Sequence, residues 1–92
     1  MNNSKEQGKQ FFYFKIIQRG ENIKIPLIEK NINKEFREIY YKLLKELKLK
    51  EKNAFLSNED GKMIGISDLS LSLEEVIKKF GFKLRLYYEK VF

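Results

Sequence analysis

Residues 33–48 read NKEFREIYYKLLKELK. Phe36, Ile39, Tyr40, Leu43, Leu44 and Leu47 recur at steps of three and four, the spacing that lines up side chains on one face of an α-helix. Glu35, Arg37, Glu38, Lys42, Lys45 and Glu46 fall on the other face. Asn33 can cap the first turn with its side-chain oxygen, so the pattern predicts a helix from Asn33 to about Lys48. A lone helix of this length is marginal in water, and its apolar stripe needs a partner. The residues on either side supply one.

On the N-terminal side, Phe11 to Gln18, FFYFKIIQ, is dense in aromatic and β-branched residues and predicts a strand. Arg19-Gly20-Glu21-Asn22 predicts a turn, and Ile23 to Glu29, IKIPLIE, the return strand of a hairpin. Pro26 has no N–H to donate, so that strand is expected to lie at a sheet edge or to carry its proline on an unpaired side. On the C-terminal side, Asn53 to Asn58, NAFLSN, predicts a short strand, Glu59-Asp60-Gly61 a turn, and Lys62 to Ile66 a further short strand. Ser72 and Glu75 have the S-x-x-E spacing of a capping box, opening a short helix to about Phe80 that Gly81 ends. Phe82 to Glu89, FKLRLYYE, alternates apolar and polar residues and predicts the last strand.

The first and last strands carry the strongest β signal and are expected to pair in parallel at the sheet centre. Alternation in the last strand calls for one covered face and one wet face. The expectation is an α+β fold: a mixed four- to five-stranded β-grasp sheet packed on one main helix, with a short second helix. Strand parity turns Phe12, Phe14, Ile16, Ile23, Ile25, Leu27, Leu84 and Leu86 toward the helix. It turns Tyr13, Lys15, Ile17, Lys24, Pro26, Ile28, Lys83, Arg85 and Tyr87 to the open face. Aromatics and Arg are favoured at interface centres, so this face is the candidate protein-binding surface.

The chain has 92 residues, room for one small domain. Residues 1–10 are almost free of apolar side chains and read as a flexible arm, residues 11–89 as the domain, and residues 90–92 as a tail. Cysteine and histidine are both absent, which removes disulfides, Ser-His and Cys-His nucleophile pairs and the common zinc ligand sets. Glu74 and Glu75 are adjacent at a helix start and suit capping rather than paired acid–base work. Asp60-Gly61 lacks the spacing of a calcium loop, and neither Gly20 nor Gly61 sits in a phosphate-binding turn. No catalytic residue, cofactor or metal is expected. No apolar run reaches the length of a membrane span, and the polar start MNNSKEQGKQ is not a secretory signal, so a soluble cytoplasmic monomer is expected.

Nineteen Lys and Arg against 13 Asp and Glu give a net charge of +6, but 16 of the cations are Lys and only Arg19, Arg37 and Arg85 are Arg. Readers of nucleic acid favour the planar Arg fork, so the balance argues against specific nucleic-acid recognition. Lys42, Lys45, Lys48, Lys50 and Lys52 straddle the end of the main helix, where cations suit the negative end of its dipole.

Two stretches resemble a known family. Asn58 to Ile66, NEDGKMIGI, and Val76 to Leu86, VIKKFGFKLRL, are similar to the ubiquitin-fold modifiers, the small ubiquitin-like proteins of ufmylation. The shared features are the Asp-Gly turn followed by Ile-Gly-Ile, the helix ending Lys79-Phe80-Gly81, and Leu84-Arg85 in the last strand. The resemblance runs from about Phe11 to Val91. It implies a ubiquitin-like fold without catalytic activity and, as partners, the activating and conjugating enzymes of such a pathway. It also implies conjugation to target lysines through an exposed C-terminal glycine, with Lys79 as the lysine that accepts the next modifier in a chain. The tail departs from the pattern: Lys90, Val91 and Phe92 stand where the family has a terminal Val-Gly, and only glycine offers the backbone freedom that tail needs. The alternative from the residues alone is a β-grasp interaction module that does not conjugate, one that binds a GTPase or assembles a complex.

Overall fold

The computed structural model describes residues 10–89; the tail Lys90, Val91 and Phe92, and all of the expected arm except Gln10, lie outside the described residues. In chain order the elements are β1 (Phe11–Ile16), β2 (Glu21–Pro26), α1 (Glu29–Ile32), α2 (Phe36–Leu47), β3 (Ala54–Asn58), α3 (Leu73–Phe80) and β4 (Lys83–Tyr88). Two 3₁₀ turns, Glu51–Asn53 and Ile66–Ser70, flank β3. The four strands form one mixed sheet in the order β2-β1-β4-β3. β1 and β4 run parallel at its centre, and both outer pairings are antiparallel. This is the α+β, β-grasp arrangement that the sequence predicts.

Gly20 takes φ 66° and donates its N–H to the Ile16 carbonyl, closing the hairpin in a backbone conformation that costs a residue with a Cβ about 1 kcal/mol. Pro26 ends β2 on the sheet edge, as expected. The inward residues follow the expected parity: Phe12, Phe14, Ile16, Leu84 and Leu86 are wholly buried, while Ile23, Ile25 and Leu27 pack against the cluster at its edge. Phe36, Ile39, Tyr40, Leu43 and Leu44 of α2 close over them. The Ser72 capping box forms in both directions, and Gly81, at φ 99°, ends α3.

Several boundaries differ from expectation. The hairpin turn falls at residues 17–20 rather than Arg19–Asn22, so β1 stops at Ile16 and β2 already begins at Glu21. The main helix starts at Phe36, not Asn33. Asn33 instead ends α1, its side-chain amide donating to the Glu29 carbonyl. The cause is non-local: Glu35 is extended and bridged to Ser72 at the entry to α3, with Phe36 N–H donating to Leu71 O (2.7 Å) and Leu73 N–H to Lys34 O (2.9 Å). The return strand stops at Pro26 rather than Glu29, because Ile28 already opens α1. The Lys62 to Ile66 strand shrinks to one bridge between Met63 and Ser57, because Gly65 and Asp68 then form a reciprocal cap that starts a 3₁₀ turn. Finally, Gln10 belongs to the domain, since its carbonyl accepts the Leu27 N–H.

Lys48 caps α2 in the left-handed region, φ 59° and ψ 41°. Lys48→Gly is therefore expected to stabilise the protein by about 0.5–1 kcal/mol, read as a rise in thermal midpoint. A fall would show that the Lys48 side chain contributes more than its backbone strain costs.

Candidate functional site

The face of the sheet turned away from α2 is built by register. Lys24, Tyr13 and Lys83 form one row across β2, β1 and β4. Asn22, Lys15, Arg85 and Ser57 form the next, across all four strands. Tyr87 and Phe55 share the third row, and Ile17, just past β1, remains tied to β4 through its N–H on Leu86 O. Lys15, Lys24 and Lys83 are exposed, while Tyr13, Ile17, Arg85 and Tyr87 are half-buried. The register thus brings together eight of the nine residues expected there, Pro26 through its pairing with Phe11. Ile28, though exposed, lies beyond the last paired residue of β2 and off this ladder.

Two aromatic residues join the face that the sequence reading passed over. Phe11 lies 6.3 Å from Tyr13, ring centre to ring centre, and Phe55 on β3 is 44% exposed. Phe55 was legible by parity, since it alternates with the buried Leu56. Lysine ammonium groups lie over two of the rings: Lys24 Nζ is 5.3 Å from the centre of Phe11 and Lys83 Nζ 5.8 Å from that of Tyr13. Such cation–π contacts hold the charges in place over an apolar floor.

The electrostatics of the face are one-sided. Lys15 and Arg85 are direct cross-strand partners, a placement that destabilises a sheet when charges are alike. Among the described residues no ion pair forms with Lys15, Lys24 or Arg85, and Lys83 meets only Glu59 at the rim, at 3.9 Å. Four cations thus stand on this face with only Glu59 beside them, so the face is net positive.

Lys79, the candidate linkage lysine, is not on the face. Its Nζ lies 2.6 Å from Oδ1 of the buried Asp68, whose Oδ2 accepts the Gly65 N–H. A linkage through Lys79 has to break this pair, whereas the neighbouring Lys78 is exposed and makes no ion pair among the described residues. Asn58 is a second buried polar anchor. Its Oδ1 accepts the Asp60 and Lys62 N–H groups, and its amide donates to Phe80 O, which fastens the Asp-Gly turn to the end of α3.

A shallow groove of about 380 Å³ lies between α2, the outer edge of β3 and the segment from Met63 to Leu69. Phe55, Met63 and Ile66 are exposed around it. Tyr40 lines it, its hydroxyl pushed up to about 12 chiefly by burial, with smaller contributions from Glu51 and Tyr41. Tyr41 donates to Glu51 at 2.7 Å, a hydrogen bond that also raises its pKa. Neither phenol is therefore poised for proton transfer near neutral pH. Among the described residues no group of three or more Asp and Glu side chains is placed to hold a metal ion, and no helix is long and apolar enough to cross a membrane. A scan against protein-family models finds no match, and a search of curated proteins finds none.

Proposed function

We propose that this chain is a ubiquitin-like β-grasp domain that works by binding other proteins through the open face of its sheet, without turnover of its own. The observation that carries the reading is the face itself. Half-buried Tyr13, Arg85 and Tyr87 lie on its two central strands with exposed Lys15 beside Arg85, and exposed Lys24 and Lys83 flank Tyr13. Interfaces place aromatic and Arg anchors at the centre and charge at the rim. An ordinary solvated face has no reason to set Lys15 directly beside Arg85.

The test compares affinity baits in an extract of the source cells. Proteins retained by the wild type and by Lys45→Glu, on the opposite side of the molecule, are expected to be lost with the pair Tyr87→Ala and Arg85→Ala. An identical set on all three baits would refute the assignment of the face.

The Asp-Gly turn, the Lys79-Phe80-Gly81 helix end and the parallel central strands also support a modifier role, in which an exposed terminal glycine is joined to target lysines. The test sets glycine at this position: Phe92→Gly is expected to form a thioester with an activating enzyme of such a pathway. Failure of that variant to load, with binding through Tyr13, Arg85 and Tyr87 intact, selects the non-conjugating module.

A further inference from the structure

We infer that the partner segment seated on this sheet face is an extended acidic stretch of protein with the pattern acid-x-acid-x-apolar. The inference rests on the reading of the face as a docking surface and specifies what docks. Lys24 and Lys83 flank Tyr13 in one row, Lys15 and Arg85 form the next, and Tyr87 with Phe55 forms the third. Successive rows are two residues apart along a strand, roughly 6.5–7 Å. An extended chain repeats its same-side residues at that spacing. Carboxylates at alternate positions therefore meet the two cationic rows in turn, and an apolar residue two places further on meets Tyr87 and Phe55. A helix presents its neighbours at i+3 and i+4, about 5–6 Å apart, and fits the rows less well.

Charge complementarity fixes the sign of the partner. The described residues offer Lys15, Lys24 and Arg85 no carboxylate, so their repulsion is left for a partner to relieve. Ring geometry separates protein from nucleic acid. Lys24 covers Phe11 and Lys83 covers Tyr13, so bases cannot stack there without displacing both ammonium groups.

The probe is a fluorescein-labelled peptide carrying Asp-Ser-Glu-Ser-Leu between Gly-Ser flanks, titrated against the full chain by anisotropy. Its controls are the same peptide with Lys in place of Asp and Glu, and a single-stranded deoxythymidine oligonucleotide. The acidic peptide is expected to bind, the lysine peptide not to, and the oligonucleotide to bind more weakly than the acidic peptide. Raising salt from about 50 to about 300 mM is expected to weaken binding severalfold. The pair Lys15→Gln and Arg85→Gln is expected to weaken it about tenfold. Circular dichroism confirms that this variant is folded, and Lys24→Gln with Lys83→Gln provides a second, independent loss.

Backbone amide shifts locate the bound peptide. Shifts confined to Lys42–Lys52 overturn both the inference and the docking surface. Shifts on the sheet with equal affinity for the lysine peptide overturn the acidic preference alone. No binding of the acidic peptide up to about 1 mM, or tighter binding of the oligonucleotide, also overturns the inference.

Discussion

Phe36→Ala is expected to remove about 3–5 kcal/mol of stability and leave much of the protein unfolded at 25 °C. Phe36 is wholly buried. Its ring centre lies 6.0 Å from Phe14, 6.2 Å from Phe12 and 6.0 Å from Tyr40, so one side chain joins the main helix to the central strand. A domain of this size has roughly 4–12 kcal/mol in all, and the loss is of the same order. Sequence position adds to the effect. Phe36 opens α2, and its N–H holds Leu71 O, so a collapse there loosens the entry to α3 as well. Urea unfolding followed by far-ultraviolet circular dichroism measures it. Phe36→Leu keeps most of the volume and should cost only about 1–2 kcal/mol. An alanine variant within about 1 kcal/mol of wild type would mean that this ring is not what joins helix to sheet.

Lys79→Met is expected to cost about 1–3 kcal/mol at neutral pH, because it strands the buried carboxylate of Asp68 with only the Gly65 N–H. The loss stays below that of a fully buried pair because the Lys79 side chain is 45% exposed and its charge is partly solvated already. The hydrogen bond from Lys79 is the main reason that the Asp68 carboxyl titrates below its ordinary 3.8. Burial opposes the shift, and the Gly65 N–H and the charges of Lys79 and Lys62 assist it. A carboxyl whose pKa is lower in the folded than in the unfolded chain contributes stability that is complete above the unfolded value. That stability is lost as pH falls through the depressed folded value. The gap between wild type and Lys79→Met should therefore be widest at neutral pH and shrink below about 3.8, because on acidification the wild type loses the contribution of the pair and the variant has none to lose. Denaturant midpoints measured across that range decide it. A gap independent of pH would mean that lost packing of the lysine stem, and not the ion pair, is responsible.

The same pair bears on Lys79 as a linkage lysine. Acylating its Nζ removes the charge that compensates Asp68, so a chain joined there would be destabilised in the way that Lys79→Met is. Lys78 carries no such penalty among the described residues.

The elements with a clean local period were legible from the chain alone. The helical stripe from Phe36 to Leu47, the alternation in FKLRLYYE, the hairpin turn at Gly20 and the Ser72 capping box each rest on contacts within a few residues, so composition and spacing suffice. Parity in the strands settled which side of the sheet is core and placed Tyr13, Lys15, Lys83, Arg85 and Tyr87 on the other. It could not say that Lys15 and Arg85 are neighbours. That depends on the parallel register of β1 on β4, set by how Phe14 and Leu84 pack beneath α2, between residues 70 apart in sequence.

Where the sequence misled, a distant partner outweighed a local preference. Asn33 has the chemistry of a helix start, yet pairing of Lys34 and Phe36 with Leu73 and Leu71 delays the helix by three residues. Lys62 to Ile66 has strand-like residues, yet Asp68 caps Gly65 and is drawn to Lys79 on the next helix, so the chain turns after a single bridge. Local patterns thus determined the four strands, α2 and α3, the covered face of the sheet and the identity of its open face, but not α1. Tertiary structure alone decided the row of like charges across that face, where Lys15 and Arg85 meet from opposite ends of the chain, and the pairing of Lys79 with Asp68, which lie on different elements, because no periodicity within one element relates either pair.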